Sequence, residues 1–199
     1  MTPKDLRTAR FVLASASPRR SQLLGQLGFE PIVDPSTSEE IAPVGLGPAA
    51  LVEHLAQEKA DEVAARHAAA DLVLGADTIV VLGDEVLGKP RDRADAIRML
   101  TALAGVWHVV YTGYALLAPG QGRRVVGHAR TEVMIRAMAP AEIAAYVDTG
   151  EPMDKAGSYA IQAIGSLLVA QIKGDYTNVV GLPLPSVDAA WRELGWGLL

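Results

Sequence analysis

The chain has 199 residues, half of them hydrophobic and 21% charged, a composition typical of a globular enzyme with a sizeable core. It has no cysteine, which excludes disulfides, thiolate metal sites and thiol catalysis. The net charge of −5 argues against broad nucleic-acid binding but not against one nucleotide in a locally basic pocket. No apolar run is long enough to span a bilayer, and the charged first ten residues contain no apolar segment, so we expect no signal peptide and a cytoplasmic location.

The first predicted elements are a buried strand over 11–14 and a helix over 18–28, with Ser17 as N-cap, proline at its first position and glycine at its end. Arg19 and Arg20 then lie in the first helical turn, where the helix dipole disfavours cations by about 0.3–1 kcal/mol each. Free N–H groups at a helix start attract anions, and guanidinium groups bind them in pairs of hydrogen bonds. The segment therefore predicts a polyanion site, and phosphates fit it best.

A loop rich in Ser, Pro and Gly is predicted over 35–48, and it carries the carboxylate pair Glu39 and Glu40. A helix over 48–67 follows, and its apolar positions recur at helical spacing. Lys59 lies on that core-facing stripe. Either its stem packs while its ammonium reaches water, or the ammonium serves a site.

The nearly continuous apolar run over 72–82 predicts a buried strand, and Asp77 interrupts it. A carboxylate in such a strand is costly unless it is paired or binds a cation. Asp77 is therefore either a structural residue that caps a turn after Gly75 or a functional group. A Gly-Asp pair then predicts a hairpin to a strand over 85–87, after which Lys89 is either a solvated loop lysine or a residue brought towards Asp77.

The second half of the chain predicts clustered strands and short helices. They are a helix over 92–104, strands over 107–117 and 123–135, a helix over 140–148, a mixture of loop and short strands over 154–173, and a helix over 185–194. Gln162 either satisfies backbone groups or reads a base edge, and spacing does not decide between these. Together the elements predict an α/β fold with a mixed sheet.

Six segments, in order and spread across 11–184, together resemble the Maf family of nucleoside triphosphate pyrophosphatases, also called septum formation inhibitor-like proteins. They are Ser15-Ala-Ser-Pro-Arg-Arg20, Glu58-Lys59-Ala60, Gly75-Ala-Asp-Thr78, Gly88-Lys89-Pro90, Lys155-Ala-Gly-Ser-Tyr-Ala-Ile-Gln162 and Val180-Gly-Leu-Pro-Leu184. Each segment alone is a weak indication of the family, whereas all six in this order are specific for it. General nucleotide and hydrolase motifs are absent: the chain has no Walker lysine loop, no G-x-G-x-x-G after a strand and no G-x-S-x-G elbow.

The resemblance implies one domain over 1–199 with a long mixed β-sheet and flanking helices in two lobes around a central cleft, as in the inosine triphosphate pyrophosphatases. It implies hydrolysis of a nucleoside triphosphate to the monophosphate and pyrophosphate, assisted by a divalent cation, Mg²⁺ or Mn²⁺. It further implies a homodimer, with roles in nucleotide-pool sanitation and in arrest of cell division. From the net charge and the short apolar runs we expect neither nucleic acid nor a membrane as a partner.

The resemblance also assigns roles to single residues. Asp77 is the proton acceptor, Lys59 and Lys89 are catalytic cations, and Glu40 and Asp77 hold the metal. We prefer Asp77 acting through a metal-bound water to Asp77 as a free base. The residues implied to bind substrate are Ser15, Ser17, Arg19, Arg20, Thr78 and Gln162.

The resemblance extends to substrate choice. One branch of the family has Arg, Thr and Gln where this chain has Arg19, Thr78 and Gln162, and it selects dTTP and UTP. The other branch has Trp, Gln and Glu there and prefers a methylated guanine nucleotide. The alternative is a non-catalytic nucleotide-binding regulator of septum formation. A nucleotidyltransferase is a third hypothesis, disfavoured because the first strand is not followed by a glycine-rich loop.

Overall fold

Strands and helices alternate through the first half of the chain in the computed structural model, which describes residues 3–37, 43 and 45–199. The described strands are β1 (Lys4–Asp5), β2 (Phe11–Leu13), β3 (Ile32–Val33), β4 (Leu72–Leu82), β5 (Glu85–Leu87), β6 (Trp107–Ala118), β7 (Arg123–Ile135), β8 (Val169–Lys173) and β9 (Trp196–Gly197). The described α-helices are α1 (Pro18–Gly25), α2 (Pro48–Arg66), α3 (Arg93–Leu103), α4 (Pro140–Asp148), α5 (Tyr176–Val180) and α6 (Leu184–Glu193).

The main sheet is mixed, as the sequence predicts. Its strand order is β3-β2-β4-β6-β7-β8, and β5 pairs with β4. The pairs β2–β3 and β2–β4 are parallel, whereas β4–β5 and β7–β8 are antiparallel. The parallel pairs lie where helices separate the strands in sequence, and the β4–β5 pair is closed by the predicted two-residue hairpin. The α/β fold class is therefore confirmed.

The described residues fall into two compact units. The first contains the described part of 1–77 together with 112–129 and 181–199. One part of its core is aliphatic, with β2 and β4 packed against small side chains of α2, such as Ala56 and Ala60. A second part is aromatic, where Phe11, Phe29 and Trp191 meet edge to face. A short parallel pair of β1 and β9 joins the two ends of the chain in this unit.

The second unit contains 78–111 and 130–180. Its core is a cluster of aliphatic and aromatic side chains from β4, β5, α3, β6, β7 and α4. Helix α3 begins as predicted, because the Asp92 side chain accepts a hydrogen bond from the Asp95 N–H at 2.8 Å. Leu100 and Leu103 on the same helix are fully buried in this cluster.

Two local predictions differ from the structure, and a few short elements were not predicted. Helix α1 ends at Gly25 rather than at 28, because i→i−3 hydrogen bonds tighten the chain into a turn that closes at Gly28, whose φ is +86°. Residues 154–173 form 3₁₀ turns and the single strand β8 rather than several short strands. Helix α5 was not predicted; the Asp175 side chain accepts a hydrogen bond from the Thr177 N–H at 2.7 Å at its start.

Candidate active site

The turn between β2 and α1 is organised by Ser15. Its Oγ accepts a hydrogen bond from the Ser17 N–H at 3.3 Å and another from Arg20 Nη1 at 2.7 Å. Ser17 precedes the first residue of α1, as predicted, but its side chain makes no capping bond. The turn is therefore shaped by the Ser15 hydroxyl rather than by a conventional N-cap side chain.

Arg20 is buried, at 9% exposure, and connects this turn to the segment before α6. Its Nε donates to the Gly181 carbonyl oxygen at 2.8 Å while Nη1 donates to Ser15 Oγ. These bonds use two of the five N–H donors of the guanidinium group. They offset the unfavourable placement of this cation at a helix N-terminus, which explains the anomaly seen in the sequence for Arg20. Arg19, the neighbouring residue, is partly exposed.

Lys59 and Asp77 form a largely buried ion pair. Lys59 Nζ donates to Asp77 Oδ1 at 2.6 Å, and the two side chains are 14% and 11% exposed. The lysine on the core stripe of α2 thus compensates the carboxylate in β4; the sequence had not predicted this partner for either residue. A pair at this depth is costly to desolvate and is retained only with good hydrogen-bond geometry, as here.

The pairing depends on Gly75, two residues before Asp77 in β4. A Cβ placed on Gly75 would lie 2.2 Å from the Ala56 carbonyl oxygen and 2.8 Å from the Ala60 N. Only glycine therefore allows the α2 backbone to lie so close to β4. Because Lys59 immediately precedes Ala60, this close approach brings its ammonium to Asp77.

The same helix meets a second glycine, in β6. A Cβ on Gly113 would lie 2.1 Å from the Val52 carbonyl oxygen. Two glycines on two strands thus fix the position of α2. The signal was available in the sequence, because an isolated glycine inside a strand pattern indicates close backbone approach.

The second compact unit contains the remaining described residues of the predicted site. Thr78 and Gln162 are partly exposed, and Lys89 is exposed just after β5. Gln162 precedes a 3₁₀ turn over Ala163–Leu167. The backbone N–H of Gly157, in the motif that ends at Gln162, donates to the Gly88 carbonyl oxygen at 3.0 Å, so that motif touches the residue before Lys89.

The predicted metal ligands are Glu40 and Asp77, and Glu40 lies outside the described residues. Within the described part of the chain, no group of three or more His, Cys, Asp or Glu side chains is placed to hold a metal ion. Asp77 fits a Mg²⁺ site by its chemistry, because a carboxylate offers about four lone-pair positions and Lys59 uses one. Magnesium sites commonly use only one or two carboxylates together with phosphate oxygens.

The comparison with protein families agrees with the resemblance seen in the motifs. The family model described as Maf-like protein matches residues 10–194. The chain belongs to the Maf family. The match contains every residue of the predicted site, from Ser15 in the first turn to Gln162.

Individual Maf relatives are similar along nearly their whole length. A protein of Moorella thermoacetica, named dTTP/UTP pyrophosphatase, is 53% identical over 192 residues, which are 95% of this chain and 98% of the relative. Relatives of the same name from Gloeobacter violaceus and Desulforamulus reducens are 54% and 48% identical. Their matches cover 89% and 92% of this chain, and 92% and 96% of the relatives.

Among the described residues, no helix is both long enough and apolar enough to cross a membrane.

Gly181 is a site residue that the sequence pattern did not predict. Its carbonyl oxygen accepts from Arg20, and its φ of +124° is one that residues with a side chain rarely adopt. The Maf motif that spans it, Val180 to Leu184, thus has a structural reason: it supplies an acceptor for the buried guanidinium.

Proposed function

We propose that this chain hydrolyses dTTP and UTP, adding water to the α-phosphorus and releasing pyrophosphate, the nucleoside monophosphate and a proton. The observation that carries the proposal is similarity over nearly the full length to Maf relatives named dTTP/UTP pyrophosphatase. The arginine, threonine and glutamine of the dTTP/UTP branch support it at positions 19, 78 and 162.

In this proposal the turn before α1 binds the phosphates. The Ser15 hydroxyl already accepts two hydrogen bonds, so its own proton points away from them and is the donor that can reach a phosphate oxygen. Ser17, Arg19 and the first N–H groups of α1 add donors at the positive end of the helix dipole. Arg20 acts both as a phosphate contact and as the residue that keeps this turn in shape.

Asp77 orients the attacking water and takes up its proton. Lys59 holds one carboxylate oxygen at 2.6 Å, which fixes the direction in which the other oxygen points. Preorganised charge of this kind is a large term in phosphoryl-type transfer, where the protein mainly positions groups and stabilises charge.

The remaining assignments follow the family resemblance. Lys89 neutralises charge on the leaving pyrophosphate, and Thr78 and Gln162 recognise the pyrimidine. Glu40 and Asp77 hold the divalent cation, Mg²⁺ or Mn²⁺, which when bound neutralises phosphate charge and makes water more acidic. A homodimer in the cytoplasm, with a role in nucleotide-pool sanitation or septum formation, is part of the same proposal.

The test is pyrophosphate release, measured through added inorganic pyrophosphatase, across common and modified nucleoside triphosphates. We expect turnover with dTTP and UTP to exceed turnover with purine nucleotides, and Lys89→Ala to lower kcat by about 100-fold or more. Binding of dTTP without any pyrophosphate release would instead support the non-catalytic regulator.

A further inference from the structure

Tyr146 and Glu151 form a hydrogen-bonded pair in the second unit, which we call the clasp. Tyr146 lies on α4 and is 4% exposed, and Glu151 begins the 3₁₀ turn that follows the helix. The Tyr146 hydroxyl donates to Glu151 Oε1 at 2.9 Å. Burial raises the pKa of Tyr146, so its hydroxyl remains a donor at neutral pH.

The clasp holds the backbone on both sides of Gln162. Before it, the Ala160 N–H donates to the Tyr146 hydroxyl at 3.2 Å. After it, the Gly165 N–H donates to Glu151 Oε1 at 2.8 Å and the Ile164 N–H donates to Glu151 Oε2 at 3.1 Å. Three backbone N–H groups within three residues of Gln162 thus donate hydrogen bonds to the side chains of Tyr146 and Glu151.

The held loop is tight and locally strained. A Cβ on Gly165 would lie 2.3 Å from the Ala160 carbonyl oxygen and 2.7 Å from the Tyr146 hydroxyl. Ala163, the residue after Gln162, has a φ of +50°, in the left-handed region that disfavours residues with a side chain. Such strain persists only where the surroundings determine the backbone, and here the clasp does so.

We propose that Tyr146 and Glu151 are positioning residues that fix Gln162 and thereby set selectivity for the nucleobase. The inference rests on the proposed function, in which Gln162 recognises the pyrimidine. An amide that discriminates base edges must be held within about 0.5 Å of its productive position. The clasp supplies this precision through the loop backbone without itself contacting the base.

The test is the ratio of kcat/KM for dTTP to kcat/KM for dGTP, with Tyr146→Phe and Glu151→Gln as variants. Phenylalanine removes only the hydroxyl, and glutamine turns one of the two accepting oxygens into a donor that faces a backbone N–H. Since a paired hydrogen bond to a base is commonly worth about 10- to 100-fold in discrimination, we expect each variant to lower the ratio at least about 5-fold.

The matched control is Asp148→Asn, also on α4. Asp148 accepts from Arg93 Nε at 2.7 Å and from Arg93 Nη2 at 3.1 Å, so its loss breaks an ion pair between α4 and α3 and none of the hydrogen bonds of the Gln162 loop. We expect this variant to unfold slightly more easily and to keep the dTTP to dGTP ratio within about twofold, as is usual for sites that do not share partners.

A double-mutant cycle separates positioning from general damage. In a Gln162→Ala background, Tyr146→Phe should change the ratio by less than about twofold, because the side chain on which the clasp acts is gone. A wild-type chain that prefers dTTP, combined with clasp variants of unchanged ratio, would overturn this inference alone. An equal fall in the dTTP to dGTP ratio when Tyr146→Phe is introduced into the wild-type and Gln162→Ala chains would also overturn it. A wild type without preference for dTTP would overturn both the proposed function and this inference.

Discussion

Replacing Asp77 by asparagine tests the centre of the proposed mechanism. The substitution keeps the shape of the side chain but removes the charge that lies 2.6 Å from Lys59 Nζ. At that distance and an effective dielectric constant of about 20, the attraction lost is about 6 kcal/mol before desolvation is counted. Because the remaining ammonium keeps its desolvation cost but loses this counter-charge, removing one partner from a buried pair typically costs about 3–5 kcal/mol.

We expect a loss of about 2–3 kcal/mol in Asp77→Asn, because the flexible stem of Lys59 lets its ammonium turn towards water. For a chain of this length that corresponds to a fall in melting temperature of about 4–12 °C. The same variant should lose at least about 100-fold in kcat with dTTP, because it can no longer take up the proton of the attacking water.

The double variant Lys59→Met/Asp77→Asn distinguishes catalysis from stability. Removing both charges leaves no buried ammonium to desolvate, so the melting temperature should recover towards that of the wild type while activity stays lost. Asp71→Asn is the matched control: it makes the same change just before β4, at an exposed carboxylate that accepts from the Arg10 N–H at 2.8 Å, and it should leave kcat unchanged. Near-native turnover in folded Asp77→Asn, or recovery of turnover in the double variant, would refute the reasoning.

Three further predictions concern Arg20, Gly75 and His108. Arg20→Lys should lose about 1–3 kcal/mol of stability in denaturant unfolding, because lysine cannot serve both acceptors of the guanidinium; an unchanged unfolding midpoint would contradict this. Gly75→Ala should lose about 1–3 kcal/mol and also lower kcat, because its Cβ would meet the Ala56 carbonyl oxygen, whereas Gly120→Ala, with open space, should do neither. Burial lowers the pKa of His108 from 6.5 to about 4, so the folded state resists a proton that the unfolded state accepts. Stability should therefore fall by about 3 kcal/mol as the pH drops from about 6.5 to about 4, and His108→Gln should show a smaller fall in unfolding free energy between about pH 7 and about pH 4.5.

The candidate site was only partly accessible from sequence. The anomalies were visible locally: two arginines in a first helical turn, a lysine on a core stripe and a carboxylate in an apolar strand. The contacts that explain these anomalies were not visible locally, because they join residues far apart in the chain. Lys59 and Asp77 are 18 positions apart, and Arg20 and Gly181 are 161 positions apart. The clasp was missed for a different reason: Tyr146 and Glu151 break no pattern, since a helix tyrosine and a turn glutamate are ordinary residues.

Most of the longer elements and their order follow from the amino-acid sequence, because apolar periodicity, glycine, proline and capping residues act within a few neighbours. Helix α2 and strands β4 to β7 accordingly follow the predicted bounds closely. Which side chains meet is settled by how the elements pack in the folded chain. That choice depends on how near one element can come to another, as at Gly75, where the missing side chain lets α2 approach β4 and places Lys59 on Asp77.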